Sequence, residues 1–389
     1  MKLLIFSWLR EYTLDDILYT LDKSNISYDI IKFDVSKIDK SDSKELFDFI
    51  NKSIIDRKNS NYSALFSVNY FPDIAKACYE NNLLYISWSY DCPLDIRNVE
   101  NTISLPTNRA FFFDKLQAED YMNENNTVFH FPLAVNADKR KNIKFDKKFA
   151  SEISFVGSVY SSSFPTLTRY LDDYYVGYLN AIMEAQKKLY GSYISREALD
   201  EDFLQKINEN FKSHNCPFTQ NGKAVLLNQL SYSIATQATF ENRLMCLGLL
   251  SSRFDLKWYT TRDAEVLPNI KKCPPVDYLT EMQQVFFSSK INLHIGLHAI
   301  SSGISLRQLD IMSCGGFLLS SFQPELFDYF IPGEDFDYFS SPEECLEKCS
   351  FYLSNEDLRS KIAASGREKV SKMFNYDVML QKLFETAFQ

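Results

Sequence analysis

Two hydrophobic periods alternate along this chain, and each switch between them marks a new element. The apolar run that ends at Phe6 predicts a buried strand over 3–7, and Leu14, Ile17, Leu18 and Leu21 then recur at helical spacing. The pair repeats as a strand at 28–33 with a helix around 46–54, and as a strand at 64–68 with a helix at 74–80 that Pro72 and Asp73 can start. Further strands are predicted at 83–88, 110–113 and 128–131. Strand, helix, strand in succession implies a parallel sheet covered on both faces. A polar, lysine-rich stretch at 138–148 reads as a linker. The pattern restarts with a strand at 153–156 that ends in Gly157-Ser158, followed by a largely helical segment too long for one crossover. From residue 240 the spacing predicts a helix to 250, a strand at 254–259, a helix at 279–287, a strand at 291–295, a helix at 306–313 and a strand at 317–320. An edge strand near 335–337 and helices at 342–353, 355–374 and 376–388 complete the chain.

The expected architecture is therefore α/β, with two Rossmann-like doubly wound domains facing a cleft. Residues 1–135 make the first domain, 136–150 the linker and 151–375 the second domain, with a helical insertion at about 166–235. The helix at 376–389 is a candidate to cross back onto the first domain. In such folds ligands lie at the carboxyl ends of the strands, so function is sought in the loops that follow them.

Composition narrows the possibilities. A chain of 389 residues exceeds what one core usually serves, and 45% hydrophobic with 24% charged residues fits a folded protein rather than a disordered one. With 42 Lys and Arg against 51 Asp and Glu the net charge is −9, which argues against the broad cationic surface of a nucleic-acid binder. Arg10, Glu11, Asp15 and Asp16 interrupt the first apolar run too early for a signal peptide, and no run approaches the roughly 18 apolar residues of a membrane span. A cytoplasmic protein is expected. The eight cysteines form no Cys-x-x-Cys pair and read as free, mostly buried thiols, with Cys345 and Cys349 packing on one helix face. His294 and His298 are four apart on a strand-like segment, a separation of about 13 Å, so zinc is not expected there, although His298 lies past the strand end and is a candidate donor contact.

Glycine is the informative residue. The chain has 11, where average composition gives roughly 27, and the first is Gly157. A glycine-free first half carries neither a G-x-G-x-x-G turn nor a P-loop, so any nucleotide belongs to the second half.

The segment from Ser301 to Leu319 concentrates the candidate chemistry. Ser302, Gly303, Ile304 and Ser305 make a small-residue loop before a helix starting at Leu306, and a helix N-terminus favours phosphate through its N–H groups and aligned dipoles. Arg307 in the first turn adds a fixed guanidinium fork for a diphosphate, or pairs with Asp310 as a surface salt bridge. Asp310, one turn on, suits hydroxyls of a ribose or sugar. Gly315-Gly316 caps the helix before the next strand. Arg243 and Lys290 are further candidate phosphate neutralisers. In the first half, Asp91 after the fourth strand is a candidate general base, or simply a turn residue bonding backbone, with Glu11 as its rival and Arg10 beside it. Tyr70, Trp88 and Tyr90 are candidates to stack on a sugar ring. His130, at a strand end, reads equally as structural or as cleft lining. Nothing resembles a divalent-metal Asp-x-Asp loop, since Asp138, Asp172-Asp173 and Asp335 to Asp337 fall in a linker, a helix and an edge strand respectively.

The run from Tyr278 to Leu297, Ser302-Gly303-Ile304-Ser305-Leu306-Arg307, Asp310, Cys314-Gly315-Gly316-Phe317-Leu318-Leu319 and Pro332-Gly333-Glu334 resembles the CgeB-like glycosyltransferases of the GT-B fold. Trp88-Ser89-Tyr90-Asp91-Cys92-Pro93, Phe131-Pro132-Leu133-Ala134 and Phe155-Val156-Gly157-Ser158 agree with it. The resemblance covers about two thirds of the chain and leaves the insertion out. It implies a bacterial, nucleotide-sugar-dependent hexosyl- or N-acetylhexosaminyl-transferase that uses a UDP-sugar as substrate, without metal or other cofactor. The second domain would hold the donor, with Gly157, Ser158, Arg243, His298 and residues 302–307 and 310 around it. The first would hold the acceptor, a protein or a growing polysaccharide, near Arg10, Tyr70, Trp88 and Tyr90. In the wider retaining families two glutamates stand eight positions apart, and Asp310 falls on the second while Ser302 falls on the first. A serine supplies no carboxylate, so the stereochemical outcome stays open. A nucleotide-sugar epimerase of the same architecture and a catalytically degenerate binding protein are the alternatives, and oligomeric state is open as well.

Overall fold

A computed structural model describes residues 1–8, 12–34, 36, 43–94, 99–261, 267 and 270–389. In chain order the elements are β1 (Lys2–Ser7), α1 (Tyr12–Lys23), β2 (Ser27–Lys32), α2 (Lys44–Ile55), β3 (Ala64–Val68), α3 (Pro72–Glu80), β4 (Leu84–Ser89), β5 (Asn108–Phe112), α4 (Lys115–Tyr121) and β6 (Val128–His130). There follow β7 (Ser151–Val156), α5 (Phe164–Thr168), α6 (Asp173–Lys187), α7 (Ile194–Glu197), α8 (Glu201–Ser213), α9 (Leu227–Ser251), β8 (Leu256–Tyr259), β9 (Lys271–Cys273), α10 (Glu281–Ser288) and β10 (Ser289–His294). The chain ends with α11 (Leu306–Ser313), β11 (Leu318–Ser321), α12 (Leu326–Tyr329), β12 (Asp337–Phe339), α13 (Pro342–Ser354), α14 (Glu356–Met373) and α15 (Tyr376–Ala387).

Two compact units result. One gathers Met1–Lys141, Gly303–Leu309 and Lys369–Gln389, and the other Asn142–Ser302 and Asp310–Glu368. The first unit contains a six-stranded sheet in the order β2-β1-β3-β4-β5-β6, the second a six-stranded sheet in the order β12-β11-β10-β7-β8-β9, and all their pairings are parallel. Burial explains the continuous apolar runs. Leu3, Leu4, Ile5 and Phe6 of β1 are all fully buried, as expected of a strand covered on both faces. Within the first unit, the C-terminal segment is tied in by Val135 N–H to Phe374 O (2.9 Å) and by Tyr376 N–H to Val135 O (3.2 Å).

The helix expected from residue 240 begins at Leu227 and runs 25 residues. Its first half is rich in serine and threonine, which masks the helical signal. Several of those hydroxyls bond back to carbonyls four residues earlier, as Ser231 does to Leu227 O (2.8 Å) and Thr239 to Ala235 O (2.7 Å). Leu230, Ile234 and Ala238 on this half pack against Leu179 of α6 and Ile207 and Phe211 of α8 in a separate core. Three short elements escape the pattern, among them α12, whose four residues are too few to show a helical period. α4 buries only Gln117 and Ala118, too few for an apolar stripe, and β9 is a polar, exposed edge strand that periodicity cannot reveal. α11 ends where Gly315 takes φ +80°, its N–H bonding Met312 O (2.9 Å) while Gly316 N–H bonds Ile311 O (3.0 Å). That is a Schellman stop, which needs glycine at the left-handed position.

Candidate functional site

In the second unit the loops after β7, β10 and β11 leave the carboxyl edge of the sheet side by side, because β10 pairs with both β7 and β11. Arg243 of α9 is buried and ties two of these loops together. Its Nε donates to Ile295 O at 3.0 Å, and its two Nη groups donate to Ile295 O and Ser158 O. The guanidinium stands 5.3 Å from the Phe155 ring centre and 4.7 Å from that of Tyr160, within cation–π range. The third loop is joined to the second by Gly296 N–H to Ser321 Oγ (2.9 Å) and by Ser302 Oγ to Glu325 Oε1 (2.6 Å). Glu325 N–H returns a bond to Ser302 O (3.1 Å).

His298 lies in the same unit, buried beneath the insertion. Its ring stacks on Tyr190 at 4.8 Å, Asn242 Nδ2 is 2.9 Å from its Nε2, and its backbone N–H bonds Thr239 Oγ1 (3.0 Å). Burial lowers its pKa from 6.5 to about 4, and the nearby Arg243 charge adds to the shift against a hydrogen bond to the Leu189 backbone. The imidazole is thus neutral near pH 7, with Nε2 accepting from the Asn242 amide. Asp310 is also buried, with Tyr278 Oη donating to its Oδ1 at 3.2 Å. Gly157 and Ser158 are half-buried at the end of β7, where Gly157 O accepts from Trp258 Nε1 at 2.7 Å.

Residues 303–309 group with the first unit, so the donor-side candidates divide between the two units. Gly303 N–H donates to Asp114 Oδ2 (3.0 Å), while Asp114 Oδ1 caps α4 by accepting from Gln117 N–H (2.9 Å). The approach is close enough that a Cβ on Gly303 would stand 2.8 Å from both Asp114 Cα and Phe113 O. Ser305 N–H is taken by Gln308 Oε1 at 2.8 Å, half of a capping box. The expectation that this loop presents free amides is therefore corrected for Gly303 and Ser305, whose N–H groups have acceptors within the protein. Gln308 N–H is likewise taken, by Ser305 O at 3.1 Å, so the anion site expected at this helix is left to Arg307, half-buried in its first turn. Gly303→Ala is expected to cost about 1–3 kcal/mol by forcing two backbone segments apart, read as a lower midpoint in urea unfolding.

In the first unit, Asn69 organises the carboxyl edge. It follows β3 with φ +64°, and its Oδ1 accepts from Tyr90 N–H (2.7 Å) and Asp91 N–H (3.3 Å) while its Nδ2 donates to Asp91 Oδ2 (2.7 Å). Asp91 is exposed and held in one orientation by this carboxamide. Tyr90, half-buried, shares a 3.0 Å hydroxyl contact with Tyr376. Tyr70 and Trp88 are placed otherwise than a sugar-stacking role requires, since both are fully buried. Tyr70 lies between β3 and α3 with its hydroxyl on Thr102 Oγ1 (2.9 Å), and Trp88 sits in a central strand against Tyr90, Phe131 and Tyr376. Arg10 and Glu11 lie outside the described residues. Asn69, Asp114 and Glu325 are functional candidates that the sequence pattern does not single out. Of these only Asp114 carries a local signal, an aspartate three residues before a glutamine at a helix start.

Among the described residues no group of three or more His, Cys, Asp or Glu is arranged to hold a metal ion, and no helix is long and apolar enough to cross a membrane.

Residues 229–385, from the start of α9 into α15, match the sequence model of the family described as Glycosyl transferase-like. No curated protein matches the chain. Among solved structures, sucrose-phosphate synthase from Thermosynechococcus elongatus superposes with a TM-score of 0.58 at 8% identity, over 100% of this chain and 99% of that one. A glycosyltransferase from Rickettsia africae gives 0.53 at 12% identity, over 99% and 97%. Anabaena HepE, solved in complex with UDP and glucose, gives 0.52 at 8% identity over the whole of both chains. The two parallel six-stranded sheets thus form an α/β fold matching that of the GT-B glycosyltransferases.

Proposed function

We propose that the chain is a metal-independent glycosyltransferase that moves a hexosyl or N-acetylhexosaminyl group from a UDP-sugar to a hydroxyl of a protein or polysaccharide, in the cytoplasm and in the manner of the CgeB-like enzymes. The observation that carries this reading is the family match over 229–385, because that segment includes α11 with its Arg307, Asp310 and glycine stop, where the sequence places a diphosphate. The UDP bound by the structurally similar HepE supports uridine as the base.

In this reading the diphosphate lies at the positive end of the α11 dipole, with Arg307 neutralising it. Asp310 serves the ribose, and Gly157-Ser158 lines the donor. Asp91 takes the proton of the acceptor hydroxyl as its oxygen attacks the anomeric carbon, the bond from that carbon to the β-phosphate oxygen breaks, and UDP leaves. Arg243 enters by holding the Ser158 and Ile295 carbonyls rather than by touching phosphate.

The test is a screen of donor hydrolysis across uridine, guanosine and thymidine diphosphate sugars, comparing wild type with Arg307→Ala. Turnover of a uridine donor is expected, with a loss of about tenfold or more in the variant, the size of one charge-assisted contact. Equal turnover would remove Arg307 from the mechanism. Asp91→Asn should keep UDP affinity and lose transfer.

A further inference from the structure

The loop after β11, Phe322-Gln323-Pro324-Glu325, contains polar groups that the proposed donor contacts leave unused. Glu325 is 2% exposed, a carboxylate facing the Ser302 hydroxyl at 2.6 Å. Gln323 is 5% exposed, and its carboxamide nitrogen has no hydrogen-bond partner among the described residues. Its Oε1 lies 3.9 Å from where a Cβ would stand on Gly296, so the carboxamide sits beside the loop after β10. On one side of it Gly296 N–H is fastened to Ser321 Oγ, and on the other Ser302 is fastened to Glu325. A buried amide donor without an acceptor is destabilising unless something else supplies one. The position matters too, because these two loops follow adjacent parallel strands at their carboxyl edge, where α/β sheets bind ligands.

We propose that Gln323 and Glu325, with Ser302 orienting the latter, form a subsite for the sugar ring of the donor. Gln323 Nε2 donates to a sugar hydroxyl oxygen, and Glu325 accepts from a sugar hydroxyl. Ser302 brings no carboxylate of its own to this edge but holds one supplied by the next loop. A carboxylate in this place repels an anionic sugar, so the subsite selects a neutral hexose over a uronic acid. The assignment rests on the glycosyltransferase reading above and specifies its substrate class.

Calorimetric titration of the full chain with UDP, UDP-glucose, UDP-N-acetylglucosamine and UDP-glucuronate tests it, together with Gln323→Leu and Glu325→Gln. Wild type should bind one neutral UDP-sugar at least about tenfold more tightly than UDP-glucuronate. Gln323→Leu should hold UDP within about twofold while losing about tenfold for that neutral sugar, one hydrogen bond to the ligand. Its Tm should be equal or higher, since a buried donor without a partner has been replaced by an apolar group. Glu325→Gln should narrow the gap between the neutral sugar and UDP-glucuronate. Equal weakening of UDP and UDP-sugar, unchanged sugar affinity, a lowered Tm for Gln323→Leu, or equal binding of UDP-glucuronate by wild type would each overturn the subsite while leaving the donor reading standing. A wild type that binds neither UDP nor any UDP-sugar overturns the donor reading and the subsite with it.

Discussion

Replacing Arg243 by alanine should lower the free energy of unfolding by about 2–4 kcal/mol, the loss of its charge-assisted hydrogen bonds to two buried carbonyls less the guanidinium's own desolvation cost. The side chain is 7% exposed, and its guanidinium supplies donors to Ile295 O and Ser158 O between two aromatic rings. Each hydrogen bond to a charged group contributes about 1.5–3 kcal/mol, and the abandoned carbonyls would be left short of a strong donor. Release from the desolvation of the guanidinium itself offsets part of that loss, which keeps the net below the sum. Arg243→Lys retains the charge but not the planar fork, so it should recover only part of the stability. Guanidinium unfolding of the three proteins checks the order. Should Arg243→Ala unfold like wild type while losing UDP affinity, Arg243 would be a phosphate neutraliser after all and its tie between the loops incidental.

Arg243 also marks where local sequence pattern stops being informative. The central strands of both sheets are legible in the sequence because they are buried on both faces and therefore appear as apolar runs, such as Leu3 to Phe6 or, interrupted only by Ser67, Ala64 to Val68. The bounds of α11 are legible because a small-residue loop before Leu306 and paired glycines after Cys314 punctuate it on both sides. The α/β class follows from those local signals alone. The partners of the candidate site residues do not. Asp114 meets Gly303 across 189 positions, Arg243 meets Ser158 across 85, and Ser302 meets Glu325 across 23. Periodicity reports which face of an element is buried, not which distant loop arrives opposite a given side chain. Tyr70 and Trp88 illustrate the same limit. Aromatics at strand ends can line a ligand or close a core, and only the packing of α3 and the neighbouring rings places both inside. Arg243 is legible as a cation near a candidate anion site, but the two carbonyls that occupy it come from loops whose positions no local pattern encodes.

Acid should destabilise the protein well before its carboxylates titrate, and His298 should be the cause. The folded pKa is about 4 against an ordinary 6.5, so the unfolded chain takes up a proton at this residue in a range where the folded chain does not. Stability from this group is therefore complete above about pH 6.5 and falls as the pH drops toward 4, at up to about 1.4 kcal/mol per unit, for a total of about 3 kcal/mol. Carboxylates held low by their partners, such as Asp29 beside Lys2 and Asp138 beside Lys141, contribute losses of the same sign. Their ordinary pKa values lie near 4, so those losses accumulate below the range in which His298 acts. Between pH 6.5 and 5 the histidine therefore dominates the difference between wild type and a variant that cannot be protonated. His298→Asn should start less stable at pH 7.5, since it forfeits the stack on Tyr190 and the bond from Asn242, yet its urea midpoint should fall less steeply between pH 6.5 and 5. Parallel slopes in the two proteins would mean that the imidazole gains a proton in the fold as readily as in water, and that the packing of Tyr190 and α9 around it opens under mild acid.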